Sequence, residues 1–243
     1  MKEILAFDNV RLTYHTRQGE VTALNGLTFS LGEGEFAAMI GPSGCGKSTV
    51  LSLAAGILKP SAGKVTRKGS IGYMLQRDEL FPWRTIEKNL YLPLEVQKKN
   101  TPARRARALE LAEKYGLSGF LKRYPSELSG GMRQRAALIR TLVMEPDILL
   151  LDEPFSALDY QTRLKVASDV SRILRSEQKA ALLITHDISE AVSLADRIFV
   201  LTARPARLLA SHETDFLSPD PLKRREEPRI SGWFETLWKE LDP

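Results

Sequence analysis

The chain has 243 residues, 43% of them apolar and 27% charged, with 35 Lys and Arg against 30 Asp and Glu for a formal charge of +5; this balance excludes disordered, collagen-like and fibrous classes. Uninterrupted apolar runs reach about five residues where a bilayer span needs roughly 20, so no segment is expected to cross a membrane, and Lys2, Glu3 and Asp8 break the N-terminal apolar residues as no secretory signal would. A single cysteine, Cys45, excludes an internal disulfide framework and a zinc site of several thiolates, as suits a reducing compartment.

Short strands punctuated by Gly and Asn are expected at 4–7, 21–24, 28–31, 36–40, 64–66 and 71–75, with one helix at 47–58. Residues 77–127 change character. They carry helical patterns at 85–97 and 102–115, almost no strand signal and eleven Lys or Arg against seven Asp or Glu, so most of the positive surplus lies there. Without a run of five like charges or basic and aromatic interleaving, that surplus reads as solvated helix faces, and no nucleic-acid partner is expected. A long helix at 131–144 is followed by strand 148–151, helix 160–176, strand 180–184, helix 188–194 and strand 198–201. Such alternation predicts an α/β fold whose sheet is mainly parallel, with helices on both faces and a helical lobe inserted before them. The tail from Ser211 holds Pro219, Pro221 and Pro228 and is expected to be largely extended until Trp233, Phe234, Leu237, Trp238 and Leu241 form one apolar stripe on a short helix docked on the chain's own body.

Gly41-Pro42-Ser43-Gly44-Cys45-Gly46-Lys47-Ser48 fits G-x-x-x-x-G-K-[ST] between a strand and a helix. A polyphosphate is held by converging backbone N–H groups and the positive end of a helix, and backbone approaches closely only where side chains are missing. Lys47 adds a movable charge for the β- and γ-phosphates, and the Ser48 hydroxyl can ligate Mg²⁺. Cys45 reads as a spacer that should leave the loop sensitive to alkylation.

The apolar strand ending in Asp152 and Glu153 places two acids where ligands sit in parallel sheets. Asp152 suits Mg²⁺, directly or through water, and Glu153 suits polarising the water that attacks the γ-phosphate. Thr185-His186-Asp187 follows a neighbouring strand in the same way, so His186 would hold that water and Glu153 in register. His15 and His212 receive no role. Leu128-Ser129-Gly130-Gly131-Met132-Arg133-Gln134-Arg135 opens another helix with two glycines and a serine, a second anion-binding nest. One nucleotide hardly needs two nests, but two copies facing head to tail would pair the loop of one with the nest of the other.

With both motifs in this order, the chain over about residues 3–210 resembles the ATP-binding subunit of an ATP-binding-cassette (ABC) transporter. The resemblance implies a P-loop NTPase (RecA-like) core with an antiparallel N-terminal β subdomain and an inserted helical subdomain. In one domain over 1–243, residues 1–76 and 145–210 would form the nucleotide-binding core, 77–144 the helical subdomain and 211–243 a tail. It implies ATP and Mg²⁺ as cofactors, Tyr14 stacked on adenine, Thr49 beside Ser48 on the phosphates, and Gln76 touching Mg²⁺ and the attacking water. Ser48, Gln76 and Asp152 would hold the metal. Ser129, Gly130, Gly131 and Gln134 would reach the nucleotide of a second copy, and Ser156-Ala157-Leu158-Asp159 would sense that copy, with Asp159 as its communicating residue. Hydrolysis would then need two cassettes closed on two ATP molecules.

Without a fused membrane region, the chain is expected to serve an importer built from separate subunits, and to lack the regulatory domain of sugar-importing cassettes. Leu80-Phe81-Pro82-Trp83-Arg84-Thr85 and Thr202-Ala203-Arg204-Pro205-Ala206-Arg207 resemble the nitrate, sulfonate and taurine importer group, which includes thiamine-precursor systems. The expected partners are an integral-membrane permease dimer, a second copy of the chain and, indirectly, a periplasmic or surface solute-binding protein, and the expected location is peripheral, on the cytoplasmic face of the inner membrane. The aromatics Phe81 and Trp83 read as interface anchors, with packing inside the helical lobe as the alternative for Trp83. A cassette of a separate-subunit exporter and a soluble, non-transport ABC ATPase remain alternatives, whereas the second nest and His186 disfavour a P-loop kinase or GTPase.

Overall fold

A computed structural model describes residues 2–17, 19–156, 158–218 and 220–241; Ala157 of the 156–159 motif and Pro219 of the tail lie outside them. The strands are β1 (Glu3–Thr16), β2 (Gly19–Gly32), β3 (Phe36–Ile40), β4 (Ala62–Arg67), β5 (Ile71–Met74), β6 (Ile148–Asp152), β7 (Ala180–Ile184), β8 (Arg197–Leu201) and β9 (Leu208–Glu213). The helices are α1 (Lys47–Ala55), α2 (Ile86–Val96), α3 (Pro102–Lys114), α4 (Gly130–Leu142), α5 (Tyr160–Ser176), α6 (Ile188–Leu194), α7 (Pro221–Arg224) and α8 (Arg229–Leu241). Among the described residues, no helix is long and apolar enough to cross a membrane.

Two sheets form. One is antiparallel, in the order β2-β1-β4; the other runs β5-β6-β7-β3-β8-β9, parallel through β8 and closed by antiparallel β9. All five residues of β3 and of β7 are buried, which is why they read as unbroken apolar runs instead of alternating ones. Alternation survives in what each side touches: Ala38, Ile40, Leu149, Leu151, Ala181 and Leu183 join a core with the helices α2 to α6, while Met39, Leu150, Leu182 and Ile184 join one with α1 and the antiparallel sheet. The register then brings strand ends together. Met74 pairs with Leu151, Asp152 with Ile184, and Met39 with Ile184, so β3, β5, β6 and β7 finish at one edge.

Three expectations need correcting. The separate strands at 21–24 and 28–31 are a single strand, β2, and β1 runs on to Thr16, because register shifts near Phe7, Val10 and Leu12 interrupt the period-2 pattern. Asn9 and Gly26 take left-handed φ values of 47° and 79° at that irregularity. The sheet crosses the expected boundary at 210, since β9 pairs with β8 through Arg197 opposite Glu213. The tail's stripe also divides. Leu237 is buried and Ile230, Trp233 and Leu241 pack on the core, whereas Phe234 and Trp238 stack on each other at 6.0 Å with Trp238 55% exposed. One helical turn is 3.6 residues, so positions 234 and 238 fall to the side of the 230, 233, 237 and 241 row. The helix does dock on the chain's own body, and Glu240 binds His212 Nε2 at 2.9 Å.

Candidate functional site

The glycine loop leaves β3 and enters α1 through Gly46, whose φ of 126° no L side chain adopts readily and whose added Cβ would stand 3.1 Å from Leu24 Cδ2. At Gly41 a Cβ would meet Leu201 Cβ and Cys45 Sγ at 3.0 Å. Gly46 offers no side-chain cap and the first turn of α1 holds no acid, so among the described residues no side chain caps its leading N–H groups, which are left available as anion donors. Lys47 is buried, with Nζ donating to the carbonyls of Gly41 at 2.7 Å and Pro42 at 3.1 Å. Ser43 and Gly44 are exposed and Pro42 is half-buried. Cys45 is only 1% exposed, and burial pushes its thiol up in spite of Lys47; the expected alkylation sensitivity is therefore corrected, because the thiol is both covered and protonated. Tyr14, partly exposed, shares a 3.1 Å hydrogen bond with the hydroxyl of Thr49 at the start of α1.

Asp152 closes the other side of the loop. The Ser48 hydroxyl donates to Oδ1 and the Tyr73 hydroxyl to Oδ2, each at 3.3 Å. Burial raises the carboxyl of Asp152, with the two hydroxyls acting against the rise, and burial followed by Asp152 pushes Tyr73 up to about 12. The Ser48 hydroxyl and the Asp152 carboxylate stand together as hard oxygen donors, while the Gln76 amide turns its Nε2 toward Glu153 and Ser156, and no cluster of three His, Cys, Asp or Glu fit for a metal exists among the described residues. This donor set fits Mg²⁺ held by one carboxylate together with substrate phosphates, not a cation caged by protein alone.

Glu153 takes a left-handed φ of 43° and is held there by its N–H on Ile184 O at 2.9 Å, a strained turn imposed at the strand end. Its Oε2 lies 3.1 Å from His186 Nδ1 and accepts from Gln76 Nε2 at 3.4 Å, while Ser156 Oγ donates to Glu153 O at 3.0 Å. Residues just beyond the ends of β5 and β7 thus converge on one carboxylate oxygen of the residue that follows β6.

Ser129 caps α4 by accepting from Met132 N at 3.3 Å and is exposed. Gly130 and Gly131 have ordinary helical φ; what they permit is contact, since a Cβ at Gly131 would stand 2.7 Å from Val166 Cγ2 and one at Gly130 3.0 Å from Leu158 Cδ2. Gln134 is 3% exposed and turned inward, with no partner for Oε1 among the described residues, so it is not presented at the surface as Ser129 is. Among the described residues no hydrogen bond joins 129–134 to the glycine loop. Asp159 caps α5 through Thr162 N at 3.0 Å.

Composition and spacing missed Tyr73, half-buried on the edge strand β5, and Asn89. The amide of Asn89, fully buried, accepts from Phe81 N at 2.7 Å and donates to the carbonyls of Phe81, Arg84 and Thr85. That fastening holds Phe81 stacked on Trp83 at 4.9 Å and leaves Trp83 71% exposed, which rules out its packing inside the helical lobe. Arg140 and Arg133 tie the same segment to α4 through the carbonyls of Asp78 and Glu79 and the Asp78 carboxylate.

A family model described as ABC transporter matches residues 24–156. The chain is 44% identical over 98% of its length to "Uncharacterized ABC transporter ATP-binding protein YtlC" of Bacillus subtilis (strain 168), of which it covers 95%. It is 40% identical over 98% of its length to "Taurine import ATP-binding protein TauB" of Burkholderia pseudomallei (strain 1710b), covering 96%. Among solved structures, a dimeric post-hydrolysis state of the ATP-binding cassette MJ0796 bound to ADP and Pi superimposes with a TM-score of 0.74 at 29% identity, over 88% of this chain and 100% of that one.

Proposed function

Because the chain belongs to the ABC transporter family of ATP-hydrolysing cassettes, we propose that it is the ATPase subunit of an importer, driving uptake of a small sulfonate of the taurine type through a separate permease dimer. The taurine-import relative supports direction and cargo class, and the dimeric cassette supports a pair of copies. The carrying observation is the meeting of His186 and Gln76 on Oε2 of Glu153, one residue from an Asp152 that shares Ser48 with the glycine loop.

In this reading, residues 1–243 form a single cassette with the helical lobe at 77–144. Tyr14 stacks on adenine, and Lys47 exchanges the carbonyls of Gly41 and Pro42 for the β- and γ-phosphates. Ser48, Asp152 and Gln76 hold Mg²⁺, which when bound neutralises phosphate charge. Glu153 accepts the proton of the attacking water, and His186 holds that carboxylate and the water in register. Ser129, Gly130 and Gly131 of a second copy complete the site from the far side, with Asp159 reporting that arrival and Gln134 supporting the nest from within. The Phe81 and Trp83 pair meets the permease on the cytoplasmic face of the inner membrane, and a solute-binding protein delivers cargo on the other side.

Glu153→Gln should bind ATP, turn over at least ~100-fold more slowly and accumulate as an ATP-dependent dimer by size-exclusion chromatography. Wild-type turnover in that variant would remove Glu153 from the reaction.

A further inference from the structure

Arg163, on the first turn of α5, bridges two loops. Its Nη2 donates to the Leu158 carbonyl at 3.1 Å, Nη1 lies 3.4 Å from Asp187 Oδ2, and Nε lies 3.9 Å from Glu190 Oε1. Leu158 sits beside Asp159 in the loop expected to meet the second copy. Asp187 directly follows His186 and caps α6 by accepting from Glu190 N at 3.2 Å.

The opposite neighbour of His186 is tied into the same group. Thr185 Oγ1 donates to Glu190 Oε2 at 2.7 Å and accepts from Asp187 N at 3.0 Å. Glu190 is 3% exposed, and burial raises its carboxyl. Arg163 is the one Lys or Arg within 4.0 Å of either Asp187 or Glu190 among the described residues. Without it Asp187, the cap of α6, would lose its ion pair, and the Leu158 carbonyl would lose its tie to α6.

We propose that Arg163 is a positioning residue that links the 156–159 loop to His186, so that arrival of the second copy at Leu158 and Asp159 sets the histidine against Glu153. This rests on the roles of Glu153 and His186 proposed above. A planar guanidinium can hold a carbonyl on one edge and carboxylates on another, which a single ammonium cannot do at once. The nucleotide-binding groups Tyr14, Lys47 and Ser48 are untouched by it, so its effect belongs to turnover and not to ATP affinity.

The test is a double-mutant cycle on the full chain, following ATP turnover in Arg163→Ala, His186→Ala and both together. Arg163→Ala should lower kcat about tenfold, the scale of lost hydrogen bonds to a charged group, and leave KM for ATP within about twofold. The double variant should be no slower than His186→Ala alone, since residues acting through one another are not additive. An equal fold loss in the His186→Ala background overturns the proposal while leaving the reading of His186 standing, and wild-type turnover in His186→Ala overturns both. Arg163→Lys retains a cation for Asp187 and guards against a folding artefact; it should melt near the wild type yet lose kcat by about threefold, because one ammonium replaces a fork. Full kcat in Arg163→Lys overturns the link through Leu158. If Arg163→Ala does not fold, the cycle runs on Arg163→Lys with the same outcomes.

Discussion

The glycine loop at 41–48 and the glycine pair at 130–131 look alike in sequence and differ in construction. The first enters an uncapped helix through left-handed glycines and brings its own cation, Lys47. The second enters a helix already capped by Ser129, its glycines are helical, and their missing side chains are used against Val166 and Leu158. An anion cradle needs free N–H donors and space, so the first can hold a phosphate unaided. The second has one donor satisfied and no lysine, which accords with the role proposed above, a contribution to a nucleotide already bound by another copy.

The largest effect that could break this contrast is Lys47→Ala, expected to raise the Kd for ATP about 100-fold, or ~3 kcal/mol, by calorimetric titration. Ser129→Arg should keep Kd within about threefold and cut turnover at least ~100-fold, since a bulky cation at the exposed cap obstructs a facing copy. If Ser129→Arg instead abolished binding and spared turnover, the two loops would have exchanged roles. Gly131→Ala sharpens the contrast at the level of packing: a Cβ 2.7 Å from Val166 Cγ2 should cost about 1–3 kcal/mol in denaturant unfolding, with ATP affinity unchanged. An unaltered midpoint would show that α4 and α5 do not need that approach.

The smallest expected effects are pH dependences of opposite sign. Burial raises the carboxyl of Asp152, so between the unfolded value of about 3.9 and its higher native value the folded state binds more protons. Its contribution to stability therefore falls as pH rises through that window. Hydrogen bonds from Thr162, through its side chain and then its backbone N–H, lower Asp159; the stability it contributes is present above about 3.9 and is lost as pH falls through its native value. Melting curves across the acid range should show Asp152→Asn flattening the first dependence and Asp159→Asn the second. Unchanged profiles in both variants would detach these shifts from folding.

Chemistry carried by adjacent residues was legible before any fold was known. Lys47 and Ser48 follow their glycines directly, Asp152 and Glu153 end one apolar strand, and His186 ends another. Contacts across the fold were not legible. Nothing near Tyr73 marks it as the partner of Asp152, nothing near Asn89 marks it as the clasp of Phe81, and nothing near Cys45 shows that distant residues bury it against the core and close the loop's thiol to alkylation. The splitting of the C-terminal stripe was hidden for a similar reason: periodicity identifies an apolar helix face, and only the shape of the surface beneath decides how much of it is covered.

Local order along the chain determined the alternation of strand and helix, the glycine loop at 41–48, the glycine pair that opens a second helix and the acids and histidine that follow apolar strands, because hydrophobic period and backbone chemistry act over a few residues. Tertiary structure alone decided that these strand ends finish at one edge, that His186 and Gln76 share one oxygen of Glu153, and that Arg163 joins Leu158 to Asp187. Those relations depend on strand order and register in the sheet, which bring together residues far apart along the chain.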